Sequence, residues 1–190
     1  FIHTTAMTGI ITPKFTKRLF LFVLIFAPLA FGTRASWSLF VCSSAVFSAL
    51  ILYLVQAGRG HATLYKVPGI LPLILLAIYM CFQMIPLPSF LLEFLSPETY
   101  SLYKSTVGMS YPLDALSISI NKKATLNELC RLLTCIGFYI LTIWFFSESE
   151  FMKKTVKRVI FLAGAIAVFA ILQYFLSDSR IYWFRVVPKN

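Results

Sequence analysis

Charge is scarce in this sequence: 13% of its 190 residues are Asp, Glu, Lys or Arg, and only seven are acidic. Soluble domains carry about 25% charged residues, so an ordinary water-facing surface is excluded. The motifs of nucleotide, dinucleotide and zinc chemistry are missing too. There is no G-x-x-x-x-G-K-[ST], no G-x-G-x-x-G, no H-E-x-x-H and no D-x-D pair, and "GRGH" at Gly58 reads as a polar turn. The four cysteines, Cys42, Cys81, Cys130 and Cys135, fall inside apolar runs without C-x-x-C spacing. That argues against a disulfide framework or a zinc site and leaves them as small packing residues. Both histidines, His3 and His61, fall on the same side of the chain map derived below, away from most of the acids, so no Ser-His-Asp or Cys-His set can gather. The expectation is a chain without metal or cofactor.

What is abundant is oil. Hydrophobic residues make up 59% of the chain, with nineteen Phe and nine Tyr, and the mean hydropathy is +0.83. A bilayer core about 30 Å thick takes about 20 apolar residues as helix. Four runs approach that length: Trp37–Ala57, Val67–Pro86, Leu126–Phe146 and Val159–Leu176. A fifth, Leu19–Thr33, is shorter and sits between Arg18 and Arg34, whose long side chains can snorkel. It has a rival reading as a signal peptide, with Lys14, Lys17 and Arg18 as the basic region and Ala30-Phe31-Gly32 as the cleavage site. Trp37 opens the next run so soon afterwards that a tight helical hairpin is preferred. The fold class is therefore all-α, a polytopic transmembrane bundle of about five spans.

The net charge of +10 invites a nucleic-acid partner, but the cations lie in short runs between apolar spans, as topology signals do. With the N-terminus inside, nine Lys/Arg (Lys14, Lys17, Arg18, Arg59, Lys66, Lys153, Lys154, Lys157, Arg158) fall on the cytoplasmic side. Seven (Arg34, Lys104, Lys122, Lys123, Arg180, Arg185, Lys189) fall on the other side, which has more residues to hold them. The bias sets the N-terminus in the cytoplasm. Residues 1–18 are then a cytoplasmic segment, 19–86 three spans, 87–125 an outer loop, 126–176 two more spans and 177–190 an outer tail. Because the chain opens on Phe1, with Met7 a plausible start, it is expected to be a piece of a longer protein.

The outer loop has 39 residues, Leu87 to Thr125, more than a connector needs. Pro86 and Pro88 stop the third helix. Phe90, Leu91, Phe94 and Leu95 then recur at helical spacing, and Ser96-Pro97-Glu98 reads as a second helix start. Two short amphipathic helices lying in the headgroup plane fit this pattern; packing on top of the bundle fits it as well. "ALSISIN" alternates as a brief extended piece, and Thr125-Leu126-Asn127-Glu128 reads as a capping box launching the fourth span. On that span Glu128, Arg131, Cys135 and Thr142 share a face. Arg131 there is either the partner of Glu128 at i,i+3 or a cation held to meet an anionic headgroup or diphosphate. Ser44 and Ser48, and Ala163, Gly164, Ala167 and Ala170, are small residues at spacings that let helices approach closely.

Four phrases occur in order: "PLAFGTRASW", "LLAIYMCFQMIPLPSFLLEFLSPETYSLY", "LDALSISINKKATLNELCRLL" and "AGAIAVFAILQYF". Together they resemble the N-terminal half of the O-antigen ligase/polymerase superfamily of bacterial inner-membrane proteins. The resemblance implies transfer or polymerisation of glycans carried on undecaprenyl diphosphate, at the outer face, without nucleotide sugar or metal. It places the catalytic histidine and most key arginines in later outer loops, so no catalytic residue is carried over to this chain. "GTRASW" departs from relatives that have histidine or proline in place of Arg34-Ala35. On this reading Arg131, Arg34, Lys122 and Lys123 are the candidates to meet the diphosphate. A transporter or flippase, or a non-catalytic scaffold of polysaccharide assembly, are the competing functions; apolar span centres count against the transporter.

Overall fold

The structure is a computed structural model that describes residues 13–30, 36–106, 115–176, 180–181 and 185–186. Arg34, Asp114, part of the signal-peptide cleavage motif at Ala30–Gly32 and most of the outer tail lie outside the described residues. The elements run α1 (Pro13–Leu29), α2 (Ser36–Gly58), α3 (Ile70–Met84), β1 (Pro86–Pro88), α4 (Ser89–Leu95), α5 (Pro97–Thr106), β2 (Ala115–Ser117), α6 (Lys122–Phe146) and α7 (Ser149–Leu176). Two residue pairs, β3 (Arg180–Ile181) and β4 (Arg185–Val186), follow. Apart from these short ladders and the connecting turns and loops, the longest at residues 59–69, the described chain is helical.

Three helices, α2, α6 and α7, are long and apolar enough to cross a membrane. The other two expected crossings are shorter. α1 has 17 residues and α3 has 15, or ~25 and ~22 Å of helix. For α3 the reason is visible: the chain from Ala62 to Gly69 is irregular and ends in a turn rather than being helical. It lies along α6, where Trp144 Nε1 donates to the Tyr65 carbonyl at 3.0 Å and Tyr139 Oη to the Pro68 carbonyl at 2.7 Å. Non-helical backbone beside a bilayer needs such partners. Gly69 then takes a left-handed φ of 66° to start α3, a conformation glycine adopts without strain.

Of two hydrophobic clusters, the smaller joins Ala77 of α3 to Leu129 and Ile136 of α6, and the larger is rich in aromatic rings toward one end. Phe20 of α1 stacks on Phe138 at 4.8 Å and meets Phe145 edge-on at 5.3 Å, while Tyr53 stacks on Trp144 at 4.8 Å. Phe151 of α7 joins them, 5.6 Å from Phe145. Lys17 forms an ion pair with Glu148 and lies over the Phe151 ring. The buried Gln56 donates to the buried Thr16 hydroxyl at 2.8 Å. These contacts bring the start of α1, the end of α2 and the α6–α7 turn to a single end of the bundle, the grouping that the charge count assigns to one side.

α2 and α6 approach closely in the middle. A Cβ placed on Gly137 would come within 2.9 Å of Val46 Cγ1, so any larger residue there would have to displace Val46. The small residues of α2 used for this are Cys42, Ala45 and Ala49, all buried. Ser44 and Ser48, the expected pair, are exposed. The rows 44/48 and 45/49 have the same spacing one residue apart, and the alanine row wins because it continues into Cys42, Val46 and Tyr53. On α7 the small residues Ala163, Gly164, Ala167 and Ala170 are likewise exposed, and nothing stands within 4 Å of a Cβ at Gly164. They pack against no part of the described chain.

At the opposite end the expected two short helices form as α4 and α5. Leu92 is fully buried, whereas Phe90 and Phe94 are 71% and 83% exposed. β1 pairs antiparallel with β2, with Leu87 opposite Leu116. Because Pro86 and Pro88 have no N–H, Leu87 is the single backbone donor of β1. α6 starts one turn earlier than the capping box implies. Asn121 is the N-cap, its side chain accepting from the Ala124 N–H at 3.0 Å, while the Thr125 hydroxyl bonds Ser119 at 2.6 Å. The asparagine is the stronger cap, and it extends the helix over Lys122-Lys123. α7 also starts early, at Ser149, because its basic first turns are helical as well.

Candidate functional site

α7 is anchored at its base by Phe151 and Thr155, both buried, and from Val156 onward most of its surface is exposed. Between its upper part and the α1–α2–α6 layer lies a groove of about 620 Å³, within the range of small-molecule sites. Val23 and Ala27 of α1, Val46 of α2, Phe138 of α6, and Leu162 and Ile166 of α7 give it apolar walls. Along α6 it runs from Thr142 to Arg131, eleven residues or ~16 Å.

The polar side chains that reach the groove are mostly engaged elsewhere. Thr134 donates to the Cys130 carbonyl at 2.7 Å and shares a bond with Ser43 at 2.7 Å. Thr142 donates to the Phe138 carbonyl at 2.8 Å, and Tyr139 is turned to Pro68. Arg131 is therefore the groove's charge. Its Nη1 lies 2.6 and 2.7 Å from the two Glu128 carboxylate oxygens. Both partners are partly open, with 36% of the Arg131 side chain and 55% of Glu128 exposed. An exposed pair of this kind is worth only about 0–1 kcal/mol, so a stronger anion can displace the glutamate. A hydrogen bond to a charged group contributes about 1.5–3 kcal/mol.

Of the four candidate cations, Arg131 alone lines the groove among the described residues. Lys122 and Lys123 are exposed on the first turn of α6. At 100° per residue Lys122 lies about half a turn round the helix from Arg131 and ~13 Å away along the axis. Arg34 lies outside the described residues. Of the four residues on the face read from the sequence, Arg131, Cys135 and Thr142 line the groove, and Glu128 reaches it through Arg131. The contributions of α1 and α7 went unread, because apolar residues at helical spacing look alike whether they face lipid, a neighbour or a cavity.

Among the described residues no group of three or more His, Cys, Asp or Glu could hold a metal ion. What the arrangement can do chemically is hold an amphiphile, with an alkyl or prenyl chain along the walls and an anion at Arg131. Compared with known proteins, the chain matches no family model, no curated protein and no solved structure.

Proposed function

We propose that this chain is the membrane part of a glycan ligase or polymerase. Its groove receives the polyprenyl diphosphate that carries the glycan, at the outer face of a bacterial inner membrane. The observation that carries the reading is an apolar groove open at the side of a membrane helix, with a displaceable arginine at one end. The resemblance of the "PLP…LSP" loop and of "ATLNELCRLL" supplies the substrate class. An amphiphile entering between α1 and α7 would leave its diphosphate at Arg131, and the sugar would project toward the α4–α5 segment. Phe90 and Phe94, exposed beside the end of α3, would ride in the outer headgroup layer. The charge bias supports a cytoplasmic N-terminus.

The test is binding of undecaprenyl diphosphate to the purified chain in nanodiscs. Arg131→Ala should weaken it about tenfold, one charge-assisted contact. Glu128→Gln should tighten it several-fold, because the guanidinium no longer has to exchange partners. Equal affinity in all three proteins would overturn the proposal. Sidedness is checked in a cysteine-free background with an impermeant thiol reagent. Ser105→Cys should react in intact cells and Ser149→Cys should not.

A further inference from the structure

A second groove lies on the other side of α7. It holds about 580 Å³ and is bounded by Ile25 of α1 and by Lys154, Lys157, Arg158, Phe161, Leu162 and Ala165 of α7. The α7 residues form one stripe, at intervals of three and four, with the cations below and the apolar residues above. Leu162 lines both grooves and separates this one from the Arg131 groove.

These cations stand at the edge of the apolar part of α7, beside an apolar neighbour. The Lys17–Glu148 ion pair sets the bases of α1 and α7 level. From Glu148 to Arg158 is ten residues, ~15 Å along α7. The apolar run of α1 begins at Leu19, and Ile25, in its middle, lines the same groove as Lys154, Lys157 and Arg158. The cations therefore stand where the neighbouring helix is already apolar. A charge at the edge of the apolar layer is held by an opposite charge or by water. Lys154 has Glu150, 3.7 Å away and itself exposed. Among the described residues no carboxylate pairs with Lys157 or Arg158. From Val159 onward α7 is ~27 Å long, the length of the hydrocarbon layer, so the two cations stand at its boundary.

We infer that this groove is a binding site for an anionic phospholipid of the leaflet at the Lys17–Glu148 end, independent of the diphosphate site. The lipid phosphate bridges Lys157 and Arg158, and one acyl chain lies between Ile25 and the Phe161–Ala165 stripe. Charge complementarity and the apolar channel directly above the cations select a lipid over a free anion, which would leave the channel empty. The occupant also closes part of α7 that no helix of the described chain covers.

The full chain in non-ionic detergent, mixed with phosphatidylglycerol or phosphatidylcholine of the same acyl chains, is read by native mass spectrometry. One phosphatidylglycerol per chain should be retained about tenfold more strongly than phosphatidylcholine. Lys157→Gln with Arg158→Gln should lower that retention about tenfold, whereas Lys66→Gln with Lys153→Gln, the same charge removed elsewhere, should change it less than twofold. Ala165→Phe keeps every charge and fills the channel, and should lower retention at least threefold with helical content unchanged by circular dichroism. Equal retention of the two lipids, or equal losses in the two double variants, overturns the site in favour of bulk attraction. A second copy or an acidic protein held in place of lipid overturns it as well.

Discussion

The two ends of the bundle are built on different principles. At the Lys17–Glu148 end, rings from α1, α2, α6 and α7 interlock, and the non-helical Ala62–Gly69 segment is pinned by Trp144 and Tyr139. At the Arg131 end a smaller cluster, Ala77, Leu129 and Ile136, packs α3 on α6, an open groove lies between α7 and the α1–α2–α6 layer, and the surface is capped by two short helices and a three-residue ladder. One end holds the helices together and the other leaves room between them. In a bilayer lipid tails are as apolar as leucine, so association rests on close packing. Concentrating that packing at one end is what allows a cavity at the other.

The sharpest way to break this contrast is Phe20→Ala. Phe20 contacts rings from α6 and α7, so its loss should cost about 3–5 kcal/mol, read as unfolding in mixed micelles. A cost below ~1 kcal/mol would mean that the aromatic end is not the anchor. Gly137→Ala, midway between the ends, should cost about 1–3 kcal/mol by overpacking against Val46. Val46→Ala in the same chain should recover most of it, whereas simple additivity would place the close approach elsewhere. The smallest effect belongs to the ion pair. Lys17→Met should shift stability by no more than about 1 kcal/mol, because Glu148 is more than half exposed. A larger loss would make charge, rather than ring packing, the closure of that end.

Most of the helical plan is legible in the sequence because apolar length and flanking charge are strong signals. α2 matches its expected run within a residue at each end. α3 is the instructive departure. Val67–Pro86 is apolar enough for a span, but composition does not distinguish helix from the turn at Pro68-Gly69, whose Pro68 carbonyl accepts from Tyr139. The start of α6 follows from competition between two caps, Asn121 and Thr125, that both read well in sequence. The groove is the least legible part. Arg131 stands out as a charge in a span, while Val23, Ala27, Leu162 and Ile166 are indistinguishable from lipid-facing neighbours until the helices are placed. The same holds for α7, whose alanines and glycine suggest a partner helix and meet none among the described residues.

The Pro86-Leu87-Pro88 strand carries a consequence for crowded membranes. A ribbon with one amide hydrogen in three residues cannot serve as a template for another chain, since strand addition needs donors in register. Copies of this protein lying side by side would find nothing there to zip onto. Any further strand would have to join this ladder on its β2 side, where Ala115, Leu116 and Ser117 all keep their N–H groups.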